Sequence, residues 1–143
     1  MNSLDVLIPT CERPAALAVT LAGLAAQNFC DFRLVISDQS ERYDPFASAE
    51  VRAVLRILES HGHPIELHRH LPRQGMAEHR QFLLQRVRAP YALFLDDDLL
   101  LEPWVIGLLL GAIRQEGCGV VGSPVIGLSY LHDERPHEQA IEF

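Results

Sequence analysis

Short apolar runs alternate along the chain with segments whose apolar residues recur at helical spacing. The runs typical of strands are residues 5–9, 32–37, 65–70, 91–95 and a last short one at 120–125. The segments typical of helices are residues 13–27, 49–60, 76–87 and 103–116, and a proline at position 14 suits a first helical turn. Residues 132–143 are polar and show no clear period. This alternation predicts an α/β fold, a mostly parallel sheet with helices on both faces.

The polar residues that follow the predicted strands are the first candidates for a functional site. In open parallel sheets, ligands bind at the carboxyl ends of the strands. If the fourth strand lies beside the first, the residues after these two strands flank one crevice, and those after the second strand lie one strand further along. The residues concerned are Thr10, Cys11 and Glu12, then Asp38, Gln39 and Ser40, and then Asp96, Asp97 and Asp98.

Three adjacent carboxylates at 96–98 form the most informative stretch. Such side chains repel one another, so a fold that groups them at a strand end needs a cation or good solvation. Oxygen ligands suit Mg²⁺ or Mn²⁺, and a metal held by one or two carboxylates keeps positions for water and phosphate oxygens. Two alternatives stay open, a solvated turn or Asp98 as a helix cap. Asp38 could accept a hydrogen bond from a pyrimidine N–H or a ribose hydroxyl, or instead bond within its own turn.

Composition narrows the class of protein. A length of 143 residues, with 48% hydrophobic and 22% charged residues, predicts one globular domain over residues 1–143. The net charge of −7 disfavours a nucleic-acid partner. No apolar run reaches the roughly 20 residues of a membrane span, and no secretory signal is evident. Three widely spaced cysteines without a CxxC pair predict neither a disulfide framework nor a zinc site, and favour a cytoplasmic location. The histidine pairs at 61/63 and 68/70 have no completing ligand nearby, so a structural or solvent role is favoured for them.

Four segments together resemble a known family. Residues 6–13 (VLIPTCER) resemble the family's opening V-I-I-P-T-Y-N-R, and residues 34–40 (LVISDQS) resemble its V-V-D-D-G-S element. Residues 74–81 (QGMAEHRQ) resemble N-x-G-x-x-x-A-R-N, and residues 95–98 (LDDD) resemble its DxD motif, with LLEPW following at 100–104. In this order and spacing the chain resembles the inverting glycosyltransferases of family 2, whose nucleotide-sugar-binding half has the GT-A fold, which is Rossmann-like. The resemblance covers nearly the whole chain.

The resemblance implies a reaction and a set of residues. A sugar would pass from a nucleotide-diphosphate sugar to an unspecified acceptor hydroxyl with inversion, assisted by Mg²⁺ or Mn²⁺. Arg80 would face the nucleotide or diphosphate, and Asp96 and Asp98 would form the metal-binding pair, with Asp98 the direct ligand. The residues implied to line the nucleotide pocket are Pro9, Thr10, Glu12, Asp38 and, between the metal pair, Asp97.

Several positions depart from the family's pattern, and they leave the choice of nucleotide base open. Glu12 would bring negative charge near a diphosphate, so it is expected to face ribose or solvent. The departures are Cys11 and Glu12 for Tyr-Asn, Ser37 for the first Asp and Gln39 for the Gly of the second element, and His79 and Gln81 around the arginine.

The general base of this family lies well downstream of the DxD motif, and the chain ends at residue 143. We therefore expect the base to lie outside this chain, and the end at residues 140–143, which looks like the middle of a strand, to reflect truncation. The late carboxylates Asp133, Glu134 and Glu138 lie in the polar tail and are expected to be exposed. One alternative function is a nucleotide-diphosphate-binding module without turnover. Another is a haloacid-dehalogenase phosphatase, disfavoured because its DxD is usually in the first strand and is followed by Gly or Thr, not by two leucines.

Overall fold

A computed structural model of the chain describes residues 2–123. Within this part, four strands alternate with four helices, and a 3₁₀ turn, Pro45–Ala47, precedes the second helix. The eight elements predicted before residue 117 are all present, with ends shifted by a few residues. They are β1 (Leu4–Thr10), α1 (Pro14–Ala25), β2 (Phe32–Asp38), α2 (Ala49–Ser60), β3 (Ile65–Arg69), α3 (Met76–Leu84), β4 (Tyr91–Phe94) and α4 (Val105–Glu116).

Two predictions concern the end of the chain. Residues 120–123 are not in a strand, against the strand predicted for 120–125, whose last two residues lie outside the described part. The predicted polar tail, residues 132–143, also lies outside it. The chain divides into two compact units, residues 1–108 and 109–143. Of the second unit, the structure describes 109–123, which comprise the latter part of α4 and the segment after it. None of the helices between residues 2 and 123 is long and apolar enough to cross a bilayer.

The four strands form one parallel sheet in the order β3-β2-β1-β4. Thr10 at the end of β1 lies opposite Asp38 at the end of β2, and Leu7 lies opposite Phe94 at the end of β4. The Leu95 N–H continues the last pairing by donating to the Leu7 carbonyl at 3.0 Å. Because β4 is the neighbour of β1, the residues after these two strands lie side by side, as predicted.

Helices cover both faces of the sheet. Alternate strand residues point to opposite sides, so each face presents its own apolar side chains to a helix. One face packs against α1 and α2, and the other packs against α3 through Leu83, which contacts Leu7 and Val35. Both faces of β1 and β2 are therefore buried, which explains why these strands read as nearly continuous apolar runs. The larger cluster includes Leu4, Val6 and Ile8 of β1, Phe32, Leu34 and Ile36 of β2, Leu17, Leu21 and Leu24 of α1, and Val51, Leu55 and Leu58 of α2.

A buried ion pair lies near the amino ends of β1 and β2. Arg33 donates to both Asp5 oxygens, each at 2.9 Å, and its remaining nitrogen donates to Glu66 at 2.6 Å. The Arg88 and Ala89 amides also donate to Asp5. Burial raises the pKa of Asp5, but these hydrogen bonds outweigh it and hold that pKa below its usual value. This network joins three neighbouring elements of the sheet and the segment before β4, opposite the strand ends described next.

Candidate functional site

The carboxyl ends of β1, β2 and β4 bring the predicted residues to one edge of the sheet. Thr10 and Asp38 are register partners, and the Gln39 N–H donates to the Thr10 carbonyl at 3.0 Å, which extends the pairing past the strands. The Thr10 hydroxyl donates to Asp97 Oδ2 at 2.6 Å, although the two residues are far apart in the chain. The loop after β4 is thereby fastened to the end of β1.

The three aspartates after β4 alternate in exposure. The Asp97 side chain is 1% exposed, whereas those of Asp96 and Asp98 are 57% and 48% exposed. Burial raises the pKa of Asp97, and the Thr10 hydrogen bond and the nearby Arg13 charge offset only part of that rise. Asp97 therefore lies beneath the surface of the site, while its two neighbours face outward.

Two arginines pair with these aspartates. Arg13 Nη2 lies 2.5 Å from Asp97 Oδ1, and its Nη1 donates to Asp98 Oδ2 at 2.8 Å. Arg80 Nη2, on α3, donates to Asp96 Oδ1 at 3.1 Å. Arg80 was a predicted site residue, and the structure places it beside the aspartates. Arg13 was not predicted as a site residue, although its position directly after the residues that follow β1 could have indicated it.

Asp38 is fully buried, and both of its oxygens are engaged by protein groups. The Ser40 hydroxyl donates to Oδ1 at 2.5 Å, and Arg69 Nε lies 2.9 Å from Oδ2. Burial raises the pKa of Asp38, and the Ser40 and Arg69 contacts offset it only partly. Of the two interpretations of Asp38, this geometry matches the bond within its own turn, since Ser40 is two residues on. Arg69, which ends β3 and also lies 3.3 Å from Asp44, went unnoticed because it fell inside the third predicted strand, residues 65–70, and not after it.

The two other predicted nucleotide-pocket residues lie along β1 and just after it. Pro9 is buried within the strand, opposite Ser37. Glu12 has a left-handed backbone (φ 55°), uncommon for a residue other than glycine, and its N–H donates to the Ser40 hydroxyl at 2.6 Å. The Glu12 carboxylate lies 3.9 Å from Arg42 Nε. Glu12 therefore links the loops after β1 and β2 through its backbone, and its side chain faces an arginine.

Two of the departures from the family's pattern, Ser37 and His79, lie together beneath the site. Ser37 Oγ and His79 Nε2 are both buried and have no hydrogen-bond partner within residues 2–123. Burial lowers the pKa of His79 to about 4; a backbone hydrogen bond with Ser37 opposes this shift, and the nearby His70 adds to it. His79 is therefore a neutral, buried residue directly before Arg80.

The carboxylates at the strand ends include two that a divalent cation could reach. Within residues 2–123, no three His, Cys, Asp or Glu side chains are grouped as a metal site. Asp96 and Asp98 nevertheless offer two exposed carboxylates on one short loop, where three carboxylates face only two paired guanidinium groups. Mg²⁺ and Mn²⁺ accept one or two carboxylates when water and phosphate oxygens complete the shell. The residues present thus fit a cation bound together with a phosphate ligand.

The Thr10–Asp97 hydrogen bond gives a first prediction. Thr10→Val keeps the side-chain shape but leaves a buried carboxylate without its hydroxyl donor, so we expect the free energy of unfolding to fall by about 2 kcal/mol. Thr10→Ser keeps the hydroxyl and is the matched control, expected to lose much less. Urea denaturation of the three proteins measures both effects; equal losses in the two variants would contradict the assigned role of the hydroxyl.

Residues 5–141 match the model of the family described as Glycosyl transferase family 2. The chain belongs to this family. The match includes all four segments on which the resemblance was based, so the family membership predicted from them is confirmed, and the phosphatase alternative is not supported. A comparison with curated protein sequences finds no match.

Solved glycosyltransferase structures share the fold of this family 2 chain. TarS of S. aureus has a TM-score of 0.65 at 18% identity, over 85% of this chain and 23% of that one. TarS residues 1–349 in complex with UDP has a TM-score of 0.64 at 17% identity, over 91% and 40%. Mannosyltransferase PcManGT from Pyrobaculum calidifontis, in complex with GDP-Man and Mn²⁺, has a TM-score of 0.62 at 15% identity, over 78% and 32%. The predicted GT-A fold is confirmed, and the chain spans between 23% and 40% of the lengths of these three proteins.

Proposed function

We propose that residues 1–143 form the donor-binding domain of an inverting glycosyltransferase, which transfers a sugar from a nucleotide-diphosphate sugar to an acceptor hydroxyl with help from Mg²⁺ or Mn²⁺. The observation that carries this proposal is the junction of the ends of β1 and β4. The Thr10–Asp97 bond fixes the aspartate loop and leaves Asp96 and Asp98 exposed beside two arginines. Structures of the same fold were solved with UDP, UDP-GlcNAc, and GDP-Man with Mn²⁺, which supports a donor of this class.

Each residue of the aspartate loop has its own part in this proposal. Asp96 and Asp98 would hold the cation, which when bound would neutralise charge on the departing diphosphate. Asp97 keeps the loop in place from below and does not need to touch the ligand. Arg80, half-exposed beside Asp96, would bind a phosphate oxygen.

The nucleotide pocket is proposed to lie over the ends of β1 and β2. Buried Pro9, Thr10 and Asp38 would lie directly beneath it and support it, and the partly exposed Glu12 would form its rim. We also propose a reducing compartment, the cytoplasm, as the location, because the three cysteines are widely spaced and form no CxxC pair.

A second candidate function is donor binding without transfer, since the chain spans 40% or less of these solved neighbours. Turnover separates the two candidates. Incubation of the chain with a donor that it binds, followed by detection of the released nucleoside diphosphate, would support transfer or donor hydrolysis. Binding without release would support the second candidate.

Calorimetric titration of UDP, GDP and dTDP, each with and without Mn²⁺, tests the proposed function. We expect at least one nucleotide to bind more tightly with Mn²⁺. Asp98→Ala should weaken that metal-dependent binding by about tenfold or more, the least that even an outer partner of a metal ligand commonly contributes. Because Asp98 is half-exposed at a strand end, this variant should keep the fold.

Glu59→Ala is the matched control, since it removes one exposed carboxylate at the end of α2. We expect this variant to bind like the wild type. Binding that is equal with and without Mn²⁺, or no binding of any of the three nucleotides, would contradict the proposed function.

A further inference from the structure

Arg13 bridges two carboxylates of different exposure. One terminal nitrogen of its guanidinium contacts the buried Asp97 at 2.5 Å, and the other contacts the exposed Asp98 at 2.8 Å. The residue immediately precedes α1, and its own side chain is 52% exposed. It can therefore leave the aspartates by rotating its side chain, without opening the core.

Charge balance makes this arginine a substitute for a cation. A buried carboxylate is costly unless a positive charge lies close to it, and Asp97 has Arg13 as its partner in this structure. A divalent cation held by Asp98 would put positive charge beside the same carboxylate. Arg13 and a cation at Asp98 would also repel each other, so the two compete for one place.

We propose that Arg13 occupies the cation's place in the ligand-free protein and is released toward the diphosphate when a divalent cation and a nucleoside diphosphate bind together. This inference rests on the proposed function and adds a residue to it. The exchange leaves Asp97 with a positive neighbour in both states. The freed guanidinium carries a fork of donors suited to phosphate oxygens.

The proposal predicts opposite effects of one substitution on two ligands. Arg13→Gln removes the competing charge, so Mn²⁺ alone should bind about three- to fivefold more tightly, the upper range for a partly exposed ion pair. The same variant should bind the nucleoside diphosphate more weakly at saturating Mn²⁺, by about three- to fivefold. A residue that merely supports the loop would weaken both when replaced. Mn²⁺ binding is measured by electron paramagnetic resonance of the free ion, and nucleotide binding by calorimetry with UDP, GDP and dTDP.

Two further variants complete the test. Arg52→Gln removes the same charge from the exposed side of α2 and should leave both affinities within about twofold of the wild type, as a remote surface charge is screened. Arg13→Lys keeps the charge without the fork and should shift Mn²⁺ affinity less than Arg13→Gln does. Weaker or unchanged Mn²⁺ binding by Arg13→Gln, with normal nucleotide binding by the wild type, would overturn the inference alone. Absence of metal-dependent nucleotide binding in the wild type would overturn the proposed function as well.

Discussion

Arg33→Met is expected to lower the free energy of unfolding by about 3 to 5 kcal/mol, the usual cost of leaving one member of a buried ion pair without its partner. Arg33 donates to both oxygens of Asp5, whose side chain is 1% exposed. Methionine has a similar length and fills the space, so the loss comes from the stranded charge rather than from a cavity. The Arg88 and Ala89 amides still donate to Asp5, but they cannot replace a full positive charge.

Urea denaturation at neutral pH measures this loss, and Arg52→Met on the exposed side of α2 is the control. The double variant Asp5→Leu/Arg33→Met removes both charges, and we expect it to be more stable than Arg33→Met alone. A loss below about 1 kcal/mol for Arg33→Met, the level of a surface ion pair, would mean that this pair is not effectively buried.

The strands could be anticipated, most clearly β1 and β2, whose burial on both faces leaves an unbroken apolar run. That β4 lies beside β1 entered the sequence analysis only as a condition, which the structure meets. The ends of helices were harder to place. The helix predicted for 76–87 ends at Leu84, and the next residues form tighter turns, with Arg86 N–H bonded to Leu83 and Val87 N–H to Leu84. Val87 still packs against the core, so the apolar pattern of the sequence continues past the end of the helix. The helix predicted from 103 starts at Val105, because the Pro103 carbonyl instead accepts from the Asn28 N–H.

The expectation that ligands bind at the carboxyl ends of parallel strands identified the edge of the sheet that carries the candidate site, since parallel strands end on the same side. It could not tell which aspartate is buried. That depends on Thr10 and Arg13, which contact Asp97 from the end of the neighbouring strand β1. It also could not show that Asp38 is covered by Arg69, since an ion pair between β2 and β3 depends on side-chain directions that sequence spacing does not fix. Which of these residues contact a nucleotide stays a prediction.

His79→Leu is expected to remove a large part of the acid sensitivity of the fold. The pKa of His79 is about 4 in the folded protein, against 6.5 for an ordinary histidine, chiefly because the side chain is 3% exposed. Between these values the unfolded chain binds a proton that the folded chain does not, so stability is lost as pH falls from 6.5 toward 4. A shift of this size corresponds to about 3 kcal/mol at the acid end.

The effect of His79 is the difference between wild type and variant in the unfolding free energy lost on acidification, because other groups titrate in the same range. Lowered pKa values at Asp5 and Glu66 also reduce stability as pH falls, whereas the raised pKa values of Asp38 and Asp97 have the opposite sign. These contributions are common to both proteins and cancel in the difference. Unfolding free energies from urea titrations at pH 7 and at pH 4 should therefore show the wild type losing about 3 kcal/mol more than His79→Leu. Equal losses would mean that His79 gains a proton inside the fold as readily as in the unfolded chain, so that the buried side chain would be fully charged in the folded protein at pH 4.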